Sequence, residues 1–418
     1  MSSARDRPLV ACVLAGGVGT RLYPLTSEKR PKPLLSLPVD GADVRGSDVN
    51  ENGESDGTTL LSRTLERLTI ADERYVLVGD SLAGPIGDAV PDVELLVEPA
   101  SKDTGPALVY AAWQLRELVG ECVLVCVPCD HVVGDAAAYK RAIERAASLA
   151  IETDGLVALG VDPTRPATGY GYVIPEGNER SPFGEAWAAP VARFHEKPDR
   201  ETATDLLDRG ARWNAGIFAW TPEALLREAR DSPLAGLVSA LERGDPAGGF
   251  AAVEPISIDR AVMERTDRAY LTPLQSPWAD VGTWDAVGRV GTWDSADRGG
   301  TSVGADGGGT SVGADGGGTS VGADGGGTSG GADGGGTWDG ANGVEPSEED
   351  DTVRLGAVNV SSIESSGNVV AVGDATLAHV SLIGVEDLVV AGANGHLVVA
   401  SRSEAERVRE VADCLRSE

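Results

Sequence analysis

The chain has 418 residues and a formal net charge of −30, with 65 acidic residues against 35 basic ones. So acidic a surface excludes binding to nucleic acid or to anionic membrane by bulk electrostatics, and no apolar run approaches the ~20 residues that a membrane-spanning helix needs. A hydrophobic content of 41% still supports a large core, and the length predicts more than one domain.

Thirty arginines stand against five lysines. That bias is expected of a halophilic protein, because molar salt shortens the Debye length to ~3 Å and suppresses self-repulsion. Five cysteines (Cys12, Cys122, Cys126, Cys129 and Cys414) are an odd number, which favours reduced thiols over a disulfide framework. The N-terminal apolar run lacks a leader's small-residue cleavage site and reads as a first strand. A cytoplasmic protein is expected.

Residues 8 to about 160 alternate continuous apolar runs with helical patterns. Strands are predicted at 9–15, 75–79, 93–98, 122–128 and 156–161, with the clearest helices at 106–118 and 137–150. Strands apolar on both faces, separated by amphipathic helices, predict a Rossmann-like α/β fold: a mostly parallel sheet with helices on both faces. Ligands of such sheets bind at the carboxyl ends of the strands. From about 168 the pattern is mixed and reads as a substrate-side extension, so that a first domain covers 1–292. Within it, 38–58 is polar and aperiodic, an acidic loop insertion.

A repeat follows. TSVGADGGG occurs at 301, 310 and 319, and TSGGADGGG at 328. Its glycine and aspartate order does not match a calcium-binding β-roll, so residues 293–352, with repeats at 301–336, read as a Gly/Asp-rich flexible linker. Residues 353–418 then form a small β module, β-helix-like, ending in a helix with Val408, Val411, Cys414 and Leu415 on one face.

Two motifs carry chemistry. Cys126-Val127-Pro128-Cys129 matches C-x-x-C, but it ends a strand and no second pair completes a zinc site, so the match is read as chance. The string AGGVGTRLYPLTSEKRPKPLL, 15–35, is the informative one. A glycine-rich turn after a buried strand lets backbone N–H groups approach phosphate oxygens. This one fits neither a Walker A loop nor a dinucleotide fingerprint. It gathers Arg21, Lys29, Arg30 and Lys32 in an otherwise acidic chain, cations that would meet phosphate charge.

The whole string resembles the signature of sugar-1-phosphate nucleotidyltransferases. Downstream, EPASKDTGPALVYAA, VPCDHVV, GYGYVIP, FHEKPD, WNAGIFAW, SIDRAVME and WADVGTWDAV follow in the order of the mannose-1-phosphate guanylyltransferase subgroup. The resemblance implies Mg²⁺-assisted transfer of a guanylyl group from GTP to mannose 1-phosphate, giving GDP-mannose and pyrophosphate. It implies catalytic roles for Arg21 and Lys32 on the phosphates, and a nucleotide site of Leu14, Ala15, Gly16, Gly17, Gly19, Thr20, Asp103, Thr104 and Pro106. The sugar phosphate would meet Gly171, Glu196, Lys197 and Asn214, and Asp130 and Asp280 would hold the metal. Asp103 stands where the subgroup has asparagine. No cupin-like segment follows, so the fused isomerase of bifunctional relatives is not expected. A homodimer is compatible with the resemblance. Uridylyl or thymidylyl transfer to glucose 1-phosphate is the alternative within the class, and a non-catalytic regulatory homologue the alternative outside it.

Overall fold

The computed structural model describes residues 7–36, 58–176, 188–291 and, with breaks at 356–357, 364, 374–376 and 378, residues 353–416. The acidic insertion (except Thr58) and the whole linker with its repeats lie outside the described residues.

The first half alternates as its sequence pattern predicts. In order come β1 (Leu9–Leu14), α1 (Leu60–Arg67), β2 (Glu73–Gly79), α2 (Asp80–Ala89), β3 (Glu94–Glu98), α3 (Thr104–Val119), β4 (Val123–Pro128), a short β5 (His131–Val133), α4 (Ala136–Thr153) and β6 (Leu156–Val161). Aspartates start the two long helices: Asp103 caps α3, and Asp135 Oδ1 accepts the Ala138 N–H at 2.9 Å to cap α4. The second half holds β7 (Tyr172–Pro175), β8 (Ala189–His195), α5 (Arg200–Asp208), β9 (Arg212–Trp220), α6 (Pro222–Arg230), α7 (Ala235–Glu242), α8 (Pro246–Ala252), β10 (Ala269–Pro273), β11 (Trp278–Asp280) and α9 (Trp284–Gly291).

Nine of these strands form one sheet in the order β3-β2-β1-β4-β9-β6-β10-β8-β7. Its two faces explain the uninterrupted apolar strands. Along β1, Leu9, Ala11 and Val13 enter one core, while Val10 and Cys12 enter the other. Burying both faces requires apolar residues at every position. The fold class is α/β as expected, but the sheet is mixed. β1 to β4 pair in parallel, whereas β9 enters antiparallel between β4 and β6. The WNAGIFAW strand is therefore central rather than part of a peripheral extension.

The C-terminal module comprises β12 (Val353–Leu355), β13 (Asn359–Ile363), β14 (Val369–Val372), β15 (His379–Ile383), β16 (Leu388–Ala393) and β17 (His396–Ser401). Val353, Val369 and Val389 align through parallel pairing, and β13 pairs with β15 on a second face, the stacking of a short β-helix. Antiparallel β17 covers the edge of β16. The module shares a core with the first domain, where Leu22, Leu25 and Trp284 pack with Val369, Val389 and Val408. A turn at Arg402–Arg407 leads into α10 (Val408–Arg416). Here the expected apolar face is corrected: Val408 and Ala412 are buried, whereas Val411, Cys414 and Leu415 are exposed. The helix packs against the turn at Thr20–Leu22, and small Ala412 permits that close approach where longer side chains would not.

Candidate active site

The loop after β1 is crowded at one glycine and open at two others. Gly19 has φ +82°, and a Cβ there would lie 2.5 Å from Lys32 Cβ. Glycine is compulsory at that point. The Lys32 N–H donates to the Val18 carbonyl at 2.9 Å, and Thr26 Oγ1 donates to the Gly19 carbonyl at 2.8 Å, so the two ends of the signature are tied together. At Gly16 the nearest atom to an added Cβ is Glu98 Oε1 at 3.7 Å, and at Gly17 nothing lies within 4 Å. Packing does not require those two glycines. Close approach of a ligand to the backbone would.

Leu14 and Ala15 lead into this loop, the Ala15 N–H donating to the Leu77 carbonyl at 2.9 Å. Thr20 and Arg21 begin the short turn Thr20–Leu22, with Arg21 exposed at the rim. The gathering of four cations is only partly upheld. Arg30 turns away and donates to the Gly373 carbonyl of the β module at 3.3 Å, and Lys29 lines a separate groove with His396 and Leu415. Arg21 and Lys32 are left for the strand ends.

Lys32 is 7% exposed and sits between two carboxylates. β5 and β11 pair antiparallel with Asp280 opposite His131, which brings Asp280 beside Asp130 at the end of β4. Helix α1 holds this corner: Thr64 Oγ1 donates to the Cys129 carbonyl at 3.1 Å, and Arg67 Nη1 to the His131 carbonyl at 2.9 Å. Lys32 Nζ hydrogen-bonds Asp130 Oδ2 and lies 3.5 Å from Asp280 Oδ1. Burial opposes charge on both Lys32 and Asp130, but their mutual attraction outweighs it. The Asp130 carboxyl is lowered to about 2, helped also by His131, and the Lys32 ammonium is raised above its ordinary value. His131 itself is pushed down by burial.

Gly171, Glu196 and Asn214 converge on the other side. A Cβ on Gly171 would lie 2.7 Å from Glu196 Oε2 and 3.4 Å from Asn214 Cβ, and the Asn214 N–H donates to the Gly171 carbonyl at 2.8 Å. Lys197, held at φ +46°, extends outward and pairs with Glu196 Oε1 at 2.7 Å. A cleft of about 900 Å³ opens beside these groups, from Arg21, Asp280 and Gly282 past Arg165 and Arg200 to Ser401–Arg407 of the β module. Arg165 lies over the Trp213 and Tyr170 rings, 5.2 and 5.8 Å from their centroids.

The remaining residues divide. Asp103, at φ +70°, caps α3 by accepting the Thr104 N–H at 2.6 Å. Thr104 Oγ1 is taken up by the Ile258 N–H at 3.0 Å, and Pro106 is buried. Two further carboxylates lie at the candidate site, Glu98 in the motif that also holds Asp103, Thr104 and Pro106, and Asp259 in SIDRAVME, of which no residue was predicted. Glu98 is 5% exposed beside Gly16; its Oε1 accepts from Ser101 at 3.2 Å, its Oε2 is buried without a protein partner, and burial raises its pKa. Asp259 is 9% exposed, and its Oδ1 accepts from Asn214 Nδ2 at 2.8 Å.

The C-x-x-C match has no shared environment. Cys126 faces one core and Cys129 the other, and burial pushes both thiols up. Among the described residues, no helix is long and apolar enough to cross a membrane, and no three His, Cys, Asp or Glu form a metal-holding group.

A glycine turn, a lysine between two strand-end carboxylates and a glycine-lined polar pocket define a phosphate-handling α/β protein. The family description "Nucleotidyl transferase" matches residues 10–292, and the chain belongs to that family. The alginate biosynthesis protein AlgA of Pseudomonas putida is 32% identical over 301 residues, 68% of this chain and 58% of that protein. The mannose-1-phosphate guanylyltransferase of Escherichia coli is 31% identical over 297 residues, 68% of this chain and 59% of its own length. The chain thus spans under three fifths of the curated relatives it matches. A crystal structure titled mannose-1-phosphate geranyltransferase, from Thermus thermophilus, superposes with TM-score 0.73 at 28% identity, covering 98% of this chain and 99% of that one.

Proposed function

We propose that the chain transfers a guanylyl group from GTP to mannose 1-phosphate. A phosphate oxygen of the sugar attacks the α-phosphorus in line, the bond to the bridging oxygen breaks, and pyrophosphate leaves. Such transfer is mostly positioning and charge stabilisation. The observation that carries this reading is Lys32 buried between Asp130 and Asp280 and tied through Val18 to the loop that carries Gly16 and Gly17, two glycines that packing does not require. Arg21 and Lys32 would neutralise the triphosphate, Lys197 would meet the sugar phosphate, and Glu196 and Asn214 would take the sugar hydroxyls.

The carboxylates fit Mg²⁺. Among the described residues Asp280 Oδ1 accepts no hydrogen bond and has only Lys32 Nζ at 3.5 Å, Asp130 is held ionised, and Mg²⁺ favours one or two carboxylates completed by phosphate oxygens and water. Bound there, the ion would offset negative charge on the triphosphate. For the base, Glu98 supports guanine, whose adjacent N1–H and N2–H donors suit a carboxylate with Oε2 unpartnered among the described residues, whereas uracil and thymine offer a single ring N–H. The names of the relatives agree.

A pyrophosphate-release assay crossing GTP, UTP, dTTP and ATP with the 1-phosphates of mannose, glucose and N-acetylglucosamine tests the proposal. GTP with mannose 1-phosphate should give the highest kcat/KM. A preference for UTP or dTTP would overturn the guanylyl assignment and keep the class; no turnover with any pair would favour a non-catalytic homologue.

A further inference from the structure

The segment Ile256–Glu264 touches both halves of the site. Its first residues grip the loop at the start of α3. The Ile256 N–H donates to the Lys102 carbonyl at 3.2 Å, the Gly105 N–H to the Ile256 carbonyl at 3.0 Å, and the Ile258 N–H to Thr104 Oγ1 at 3.0 Å. The contact leaves no slack, since a Cβ on Gly105 would lie 2.5 Å from the Ile256 oxygen.

Its later residues wind into a wide turn at Asp259–Met263, closed by a 2.8 Å hydrogen bond from the Glu264 N–H to the Asp259 carbonyl. Wide turns of this kind recur at functional sites because they re-aim side chains. Here two carboxylates are aimed. Asp259 Oδ1 accepts from Asn214 Nδ2 at 2.8 Å, while Asn214 Oδ1 accepts the Gly216 N–H at 3.0 Å. Both contacts agree on the orientation of the amide, and they leave one of its N–H bonds for a ligand. Glu264 Oε1 accepts the Glu196 N–H at 3.0 Å, fixing the backbone that carries Glu196 and Lys197. Neither carboxylate is needed by the phosphate chemistry; Asp259 is buried, where a carboxylate is costly unless hydrogen bonds use it, whereas Glu264 is exposed and acts through its one hydrogen bond.

We propose that Asp259 and Glu264 are positioning residues for the sugar 1-phosphate, Asp259 orienting the Asn214 amide and Glu264 the backbone of Glu196 and Lys197. Their shared turn, clamped to Lys102–Gly105, keeps this half in register with the nucleotide half. This deepens the proposed function and rests on its assignment of the sugar side.

The test compares D259A, D259N, E264A and E264Q in the full chain, with Mg²⁺ and whichever sugar 1-phosphate the wild-type chain turns over. A different acceptor would then overturn the mannose assignment and leave this test intact. Loss of one positioned hydrogen bond corresponds to roughly a tenfold change. D259A and E264A should therefore raise KM for the sugar phosphate about tenfold, with KM for the triphosphate within about twofold. D259N and E264Q keep an acceptor oxygen and the side-chain volume, and should restore KM to within about threefold. Equal changes in both KM values, or failure of the isosteric variants to rescue while their melting midpoints match the wild type, would reduce the turn to a structural role. An unchanged sugar-phosphate KM in the alanine variants would overturn the proposal directly.

Discussion

The proposed phosphate and sugar poles of the site use the same acidic residue in opposite ways. At the phosphate pole, Asp130 is buried against Lys32 and is lowered to about 2. At the sugar pole, burial of Asp259 and the nearby Glu196 charge outweigh the opposing Lys197, with Asp103 a smaller like charge, and its carboxyl is raised to about 7. Burial raises the pKa in both places, and the placement of one ammonium decides the outcome. Lys32 is enclosed by its carboxylates, whereas Lys197 reaches outward from Glu196. The phosphate pole is thus charged and internally balanced before substrate arrives, while the sugar pole holds a carboxyl whose ionisation costs stability.

That contrast can be broken at Lys32. K32A should lower turnover ~10²- to 10³-fold, the usual cost of removing a charge-stabilising donor. It should also lower unfolding stability by about 3 kcal/mol, because two carboxylates lose their partner. Measured by pyrophosphate release and denaturant melts, an unchanged midpoint would show that the pole is not internally balanced. D130N and D280N should abolish Mg²⁺-dependent turnover, since an amide supplies no ligand charge; an unchanged Mg²⁺ titration would show the carboxylate to be structural. Among the described residues Arg21 has no such partners, so R21A should lose ~10²-fold in rate with its melting midpoint unmoved.

A smaller effect sharpens the comparison through pH. Asp130 binds its proton less tightly folded than unfolded, so its contribution is present above its ordinary value of 3.8 and is lost as pH falls through about 2. Asp259 binds its proton more tightly folded, so stability should decline as pH rises from 3.8 towards about 7. D259N should flatten that decline in melts across this range and leave the acid limb in place. If both limbs persisted, Asp259 would not be the group responsible. The smallest change is expected from C129A, which should keep wild-type turnover with or without reductant because Cys126 and Cys129 face different cores. Sensitivity to oxidation in the wild type alone would contradict that.

Much of this was legible along the chain. Continuous apolar runs marked β1, β4 and β6, a 3.6-residue period marked α3 and α4, and the C-x-x-C match read as chance because it ends a strand and no second pair completes a zinc site. The signature loop and the carboxylates of VPCDHVV and WADVG were legible through resemblance. Their meeting at Lys32 depends on β5 pairing with β11, a strand far along the chain. Local patterning records which face of an element is apolar, but not which element covers it. For that reason the central place of β9, the diversion of Arg30 to Gly373, the core shared with the β module and the grip of Asp259 and Glu264 on Asn214 and Glu196 all waited for the fold. Each is a contact between distant segments, chosen by the packing of the whole chain rather than by any stretch of it.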